Sequence, residues 1–263
     1  MTVNAMNMND IKSAAMNACI VIPVYNHERA IVKTLANILP FSVPVILVND
    51  GSNGDCSAVL EQLADQHPSV HLKVLEVNQG KGAAVKLGLQ SALELGYSHA
   101  LQVDADGQHN LADIPAFLSA AAGSPTMIIC GVPQYDDSVP RLRHYARYLT
   151  HVWVWINTLS FAIKDSMCGF RVYPLASICQ QLARCDTGNR MDFDTEILVH
   201  WLWAGGNIQN LSTKVHYPLD GVSHFLPGKD NWLISCMHAR LFFGMLARAP
   251  LWLLGLRKRG RAL

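Results

Sequence analysis

The sequence predicts an α/β fold with a mainly parallel central sheet and helices on both of its faces. Two observations carry that prediction. Short apolar runs alternate with helical stretches through the first half of the chain, and such alternation makes parallel strands joined by helical crossovers. Polar segments rich in Gly, Asp and Asn follow four of those runs, at the strand ends where an open α/β sheet gathers its ligands.

The apolar runs are ACIVIPV (18–24), VPVILVND (43–50), HLKVLEV (71–77), HALQVD (99–104) and TMIICG (126–131). They are short and rich in β-branched residues, which favours strand over helix. The stretches 28–38, 56–66, 81–95 and 111–122 read as helices, with Asp55 or Ser52 capping the second and Asn110 the fourth. Past 131 the pattern changes. GVPQYDDSVPR is a loop leading into a helix over roughly 141–162, and Pro174 opens another. DFDTEILVHWLWAGG is a helix closed by Gly205 and Gly206, and NIQNLSTKVHYP is a final strand. The organisation that follows is a lead-in over 1–17, one domain over 18–229 and a basic helical tail over 230–263.

Composition narrows the function classes. Half of the 263 residues are hydrophobic and the formal net charge is +1, so a large core can form and nothing draws the chain to nucleic acid. The charge is unevenly placed, however. No acid follows Asp230, whereas Arg240, Arg248, Arg257, Lys258, Arg259 and Arg261 all do. The seven cysteines are odd in number and lack CxxC spacing, which suits a reducing compartment. MTVNAMNMNDIKSAAMN is too polar for a signal peptide, and no run reaches the ~20 apolar residues of a membrane-spanning helix. These features predict a cytoplasmic chain. Trp153, Trp155 and Phe161, with the apolar C-terminal segment and its basic end, read either as core or as a face on an anionic membrane.

Each motif has a chemical and a plain reading. VDADGQH sets Asp104 and Asp106 one residue apart at a strand end. Two close carboxylates suit Mg2+ or Mn2+, which also keeps water or substrate phosphate among its ligands. The same letters make an ordinary Asx-turn before Gly107. Asp50 in VNDGSNGD can accept hydrogen bonds from a base or ribose, with Gly51 allowing close approach, or can begin a strand-to-helix turn. Gly80, Lys81 and Gly82 open a helix, where amides and an ammonium suit an anion, although GxxxxGK[ST] spacing is absent. Asp165 in DSMCGFR carries a carboxylate that can serve as a base, or can form a turn before Gly169. Arg171 carries a fork suited to a phosphate group, and Arg141, Arg143 and Arg147 offer the same or stand solvated. Asp194 and Glu196 open a helix, where acids also offset the helix dipole. His109 and His224 approach the site on this reading, while His200 packs on a helix face.

IPVYNHE, VNDGSNGD, NQGKGAAVKLG, VDADGQH and DSMCGFRVY occur in this order, and five ordered motifs are far more specific than one. Over about 18–200 the chain resembles family 2 glycosyltransferases, most of all the dolichyl-phosphate mannose synthase and polyprenyl-phosphate glycosyltransferase branch with its GT-A fold. The resemblance implies a nucleotide-diphosphate sugar donor, inverting transfer, and a lipid-linked acceptor, polyprenyl-phosphate or another lipid or polyene. It implies a divalent metal on Asp104 and Asp106, with Gln108 in the metal shell. On the same resemblance Pro23, Tyr25 and Glu28 join Asp50 in the nucleotide pocket, and Lys81 lies near the donor. It also implies that Asp165 is the base facing the acceptor, that Arg171 meets diphosphate or acceptor phosphate, and that Glu196 and Asp194 are site candidates. GVPQYDD stands where that branch has a Gly-Ser-Arg stretch, and the paired transmembrane helices of some members are missing. The tail GVSHFLPGKDNWLISCMHARLFFGMLARAP is similar to short members from bacterial lipid or polyene pathways.

The expectation is therefore a metal-dependent glycosyltransferase of cell-envelope biosynthesis, peripheral on the inner face of the cytoplasmic membrane. A nucleotidyltransferase is the nearest rival, but its glycine- and arginine-rich loop would stand where PVYNHE is found. A non-catalytic sugar-nucleotide-binding protein is the other, favoured only by loss of a metal or base residue, and both candidates are present.

Overall fold

The computed structural model describes residues 16–134, 141–215 and 226–255, with the backbone alone for 141–146 and 227. In chain order the elements are β1 (Ala18–Val24), α1 (Glu28–Ile38), β2 (Val45–Asp50), α2 (Gly54–Gln66), β3 (Val70–Leu75), α3 (Lys81–Glu94), β4 (His99–Gln102), α4 (Ile114–Gly123) and β5 (Ile128–Gln134). Then come α5 (Arg141–Thr158), β6 (Arg171–Pro174), α6 (Leu175–Leu182), α7 (Phe193–Trp203), β7 (Ile208–Lys214) and α8 (Pro227–Leu253).

The strands form one seven-stranded sheet in the order β3–β2–β1–β4–β6–β5–β7. Successive strand residues point to opposite faces, and both faces are dry. Cys19 and Val21 of β1 pack with Ala84, Val85 and Leu89 of α3. Ile20, Ile22 and Val24 face the other layer, with Ile31 and Leu35 of α1. Burial on both sides explains why β1 and β2 read as unbroken apolar runs rather than alternating ones.

Topology then places the site. From β1 the chain builds outward through β2 to β3, and it returns to lay β4 on the other side of β1. At such a reversal the connections leave in opposite directions and open a crevice beyond the carboxyl ends of the strands. β4 ends at Gln102, so Asp104 and Asp106 stand at that crevice.

Local details depart from the sequence reading. Arg171–Pro174 is a strand, antiparallel to both β4 and β5. The α2 cap is Asn53, whose side chain accepts the Cys56 N–H at 2.9 Å. Asp55 lies inside the first turn, and Ser52 instead receives the Asn26 N–H at 3.1 Å. A 3-10 turn over Leu111–Asp113 precedes α4, and Asn110 makes no side-chain cap bond. α5 stops at Thr158, where Leu159 turns to a φ of 48°. α8 runs on through Pro250, which falls near enough to the end to forfeit one bond without breaking the helix. Met237, Leu241 and Met245 of α8 are buried in the core beside α7. Among the described residues, no helix is long and apolar enough to cross a membrane.

Candidate active site

β2 delivers Asp50 to the sheet edge, where it is buried. Its carboxylate accepts the Gln79 N–H at 2.8 Å, the Gly80 N–H at 2.9 Å and the Asn78 side-chain amide at 3.0 Å. Burial pushes its pKa up, and the amide bonds and Arg190 only partly offset this. Gly51 has a φ of 64°, and a Cβ there would strike the Val77–Asn78 backbone. Glycine is what lets these two loops meet. Asp50 thus ties down the segment that presents Lys81.

Pro23 is buried in β1, with Tyr25 and Glu28 half-buried just beyond it. Asn26 accepts the Asn53 N–H at 2.8 Å, which joins this loop to the one after β2. Pro23, Tyr25 and Glu28 therefore share an edge with Asp50.

Lys81 opens α3 and holds the centre. Its ammonium lies 2.9 Å from Asp104 Oδ2 and 2.9 Å from Asp194 Oδ2. Burial favours the neutral amine, but the two carboxylates overcome it and hold the pKa well above the usual lysine range. For Asp104 burial works upward, yet Lys81 and His109 hold the carboxyl well below the carboxylate range. His109 Nε2 is 3.4 Å from Asp104 Oδ2, with its ring 5.1 Å from that of Phe170. Beneath them Gln102 is fully buried, its amide 3.5 Å from Asp104 Oδ1 and 3.4 Å from Asp194 Oδ1. The Tyr173 hydroxyl donates to the Gln102 carbonyl at 3.2 Å and fixes its orientation.

Asp106 accepts the Gln108 N–H at 3.1 Å, and its pKa is raised by burial and then by the charge of Asp104. A dication between the two carboxylates would relieve that repulsion. Among the described residues, no three His, Cys, Asp or Glu side chains are grouped to hold a metal alone. A hard dication here would take Asp104 and Asp106 and complete its shell from water or substrate phosphate, as Mg2+ commonly does. The donor set fits such an ion.

Gly169 backs this arrangement, because a Cβ there would fall 2.6 Å from Asp104 Oδ1 and 2.8 Å from the Gln102 amide. Gly169→Ala should displace the Asp104 carboxylate and lower turnover about tenfold or more, since small misplacements of reacting groups are expensive. Steady-state rates beside a thermal melt check this. Unchanged turnover in a folded variant would show that the carboxylate has room to move.

Asp165 lies in the loop before β6 and is buried. Arg147 of α5 grips it with both arms of its fork, Nε at 2.7 Å and Nη2 at 2.6 Å. The Met167 and Cys168 N–H groups add bonds of 2.9 and 2.8 Å, and His151 Nε2 is 3.4 Å away. Burial alone would raise the carboxyl, but His151 and Arg147 prevail and hold it well below the ordinary range.

Two expected site residues stand elsewhere. Arg171 is fully buried, and its two arms donate to the backbone carbonyls of Asp194 and Ser166, each at 2.6 Å. The expectation that its fork meets a phosphate is corrected: it joins the start of α7 to the loop of Asp165. Glu196 follows Asp194 by two residues, which is about 200° round a helix. It accepts the Gly188 N–H at 2.7 Å and a bond from Arg240 of α8 at 3.2 Å, and burial raises its pKa. His200 is half-buried against Trp203, its ring centroid 5.1 Å away. His224, residues 135–140 and the side chains of Arg141 and Arg143 lie outside the described residues, as do Arg257, Lys258, Arg259 and Arg261.

Sequence reasoning missed Gln102 and Arg190. Gln102 had a signal, since a glutamine inside an otherwise apolar strand must find partners when buried. Arg190 had none. It bonds Asp230 at 3.3 Å, favours the charge on Asp50, and lines a cavity of roughly 670 Å3. Gln79 and Asp192 border that cavity, with Lys229, Leu233 and Arg240 of α8.

Known proteins match this architecture. A family model described as glycosyl transferase family 2 matches residues 19–184, more than half of the chain. An uncharacterized protein of Methanocaldococcus jannaschii is 31% identical over 159 residues, covering 58% of this chain and 69% of that protein. A dolichyl-phosphate beta-glucosyltransferase of Trichomonas vaginalis is 27% identical over 218 residues, covering 76% of this chain and 66% of that one. The chain thus spans about two thirds of these relatives' length. Among solved structures, glucosyl-3-phosphoglycerate synthase from Mycobacterium tuberculosis superposes with a TM-score of 0.65 at 14% identity, covering 93% of this chain and 85% of that one. It was crystallised with Mn2+, UDP-glucose and phosphoglyceric acid. The seven-stranded mixed sheet and its helical layers are those of the GT-A fold.

Proposed function

The chain belongs to glycosyl transferase family 2, and on that premise we propose that it moves a glycosyl group from a nucleotide-diphosphate sugar to a lipid-linked phosphate, with Mg2+ or Mn2+ as cofactor. The observation that carries this reading is the Lys81–Asp104–Asp194 cluster, set with Asp106 at the crevice between β1 and β4. The dolichyl-phosphate relative supports a lipid phosphate acceptor. The synthase of the same fold supports a sugar-nucleotide donor and a divalent metal.

In this reading Asp104, Asp106 and Gln108 hold the metal. When bound, the dication neutralises charge gathering on the departing diphosphate. Lys81 brings a fixed positive charge to the same place, and Asp194 keeps its ammonium aimed there. Asp50, with Pro23, Tyr25 and Glu28, forms the nucleotide side. An acceptor oxygen attacks the anomeric carbon as the bond to the diphosphate breaks. Nucleoside diphosphate leaves, and a single displacement inverts the anomeric centre.

The state of Asp165 selects among acceptors. A carboxylate held by Arg147, His151 and two amides has little affinity for a proton and makes a poor general base. A phosphate acceptor is already ionised near neutral pH and needs positioning instead. Asp165 is therefore a positioning residue that fixes the Arg147 guanidinium on the acceptor side. Asp165→Asn should lower transfer about 100-fold while donor affinity stays within about twofold. The pH–rate profile of the wild type should show no limb that this variant removes. Collapse of donor affinity in calorimetry would instead move Asp165 into the nucleotide pocket.

The working place of such an enzyme is a membrane surface, where lipid acceptors reside. Assay of a panel of UDP- and GDP-sugars with Mg2+ or Mn2+ tests the reaction class. Release of nucleoside diphosphate is expected. Release of pyrophosphate would indicate a nucleotidyltransferase, and binding without any turnover would indicate a sensor.

A further inference from the structure

α5 and α8 share an outward face made mostly of apolar side chains. On α8 Trp232, Phe243, Leu246 and Leu253 are exposed, three of them by 71%, 69% and 81% for Trp232, Phe243 and Leu253. Their spacing follows the helical repeat, so they form one stripe along the helix. The opposite side of α8 buries Met237, Leu241 and Met245. A helix on the surface of a globular protein ordinarily turns polar residues outward, whereas α8 sets these large apolar side chains among exposed Asn231, Ser235 and Arg240. Leu149, Trp153 and Ile156 of α5 are exposed as well. The Trp153 ring meets that of Phe242 at 6.3 Å, and Phe242 meets Phe243 at 5.9 Å, which joins the two helices into one patch. A continuous apolar surface of this kind marks an interaction site.

Charge identifies the partner. After Asp230 the sequence holds six Lys and Arg and no Asp or Glu. Arg240 stands on α8 with its side chain 57% exposed. Pairing with a second copy of the chain would set these like charges against each other, whereas lipid phosphates would neutralise them. Aromatic and aliphatic side chains flanked by cations suit the boundary between headgroups and acyl chains.

We propose that the α5–α8 face docks on an anionic lipid bilayer. The inference deepens the lipid-acceptor reading and rests on it for its purpose. α5 carries both the exposed apolar row and Arg147, the partner of Asp165. Leu149 lies about 200° round the helix from Arg147, so docking by this face would set the acceptor side of the site one helix thickness from the membrane.

The test is sedimentation of the full chain with vesicles of phosphatidylcholine and phosphatidylglycerol, against vesicles of phosphatidylcholine alone. Binding should require the anionic lipid, and Phe243→Glu with Leu246→Glu should weaken it about tenfold or more. Leu149→Glu, on the other helix, should act the same way. All these positions are exposed, so melting temperature and release of nucleoside diphosphate in vesicle-free buffer should not change. Turnover without vesicle binding would overturn docking alone, and vesicle binding without turnover would overturn the transferase reading alone. Equal vesicle binding by the variants would also overturn the assignment. So would light scattering that showed a dimer split by the same substitutions, with no binding to vesicles.

Discussion

Asp106→Asn is expected to lower metal-dependent turnover roughly 1,000-fold while the protein stays folded. The substitution keeps the size of the side chain and an oxygen for the Gln108 N–H, so the turn over Asp106–Gln108 survives. It removes one of the two charges that would hold a dication. Its effect on stability should be small or favourable. Burial and the neighbouring Asp104 already disfavour ionised Asp106, and a neutral amide escapes that penalty. Initial rates across an Mn2+ titration, beside a thermal melt, separate the two effects. Activity like that of the wild type would reject Asp106 as a ligand.

Arg171→Met should instead destabilise the fold by about 3–5 kcal/mol, as breaking a buried, hydrogen-bonded charge usually does. Methionine fills much of the volume but donates nothing. The Ser166 and Asp194 carbonyls would lose their bonds, and the Asp194 carboxylate would lose a guanidinium 4.0 Å away. Lys81 would still face Asp194, so the damage falls first on the joint between the Asp165 loop and α7. Denaturant unfolding measures the loss. A phosphate-binding role predicts the opposite pattern, with donor or acceptor binding lost at nearly unchanged stability.

These two variants show where the sequence was legible and where it was not. The strands β1 and β2 announce themselves because both of their faces are buried, which forces unbroken β-branched runs. The motif loops were legible as one edge because parallel strands all end on the same side. β6 escaped notice, since four residues are too few to show a period and its pairing partners lie far along the chain. The cap of α2 was ambiguous because Ser52, Asn53 and Asp55 are adjacent and each has capping chemistry. Arg171 is the instructive case. A guanidinium two residues after Gly169 has the right chemistry for phosphate, and only the tertiary fold decides whether it meets ligand or carbonyls. Asp194 and Glu196 differ for a similar reason, because a two-residue offset on a helix sends one toward Lys81 and the other toward α8. Arg190 is brought to the neighbourhood of Asp50 by topology alone.

The central claim is glycosyl transfer from a sugar nucleotide to a lipid phosphate. It is tested most directly by incubating the full chain with nucleotide sugars labelled in the sugar, a membrane lipid extract and Mg2+ or Mn2+, then following the label into the organic phase. For one donor, label should enter a lipid product in step with release of nucleoside diphosphate, and chelation of the metal should stop both. Label that never leaves the aqueous phase for any donor, while nucleoside diphosphate is released at full rate, would contradict the lipid-linked acceptor.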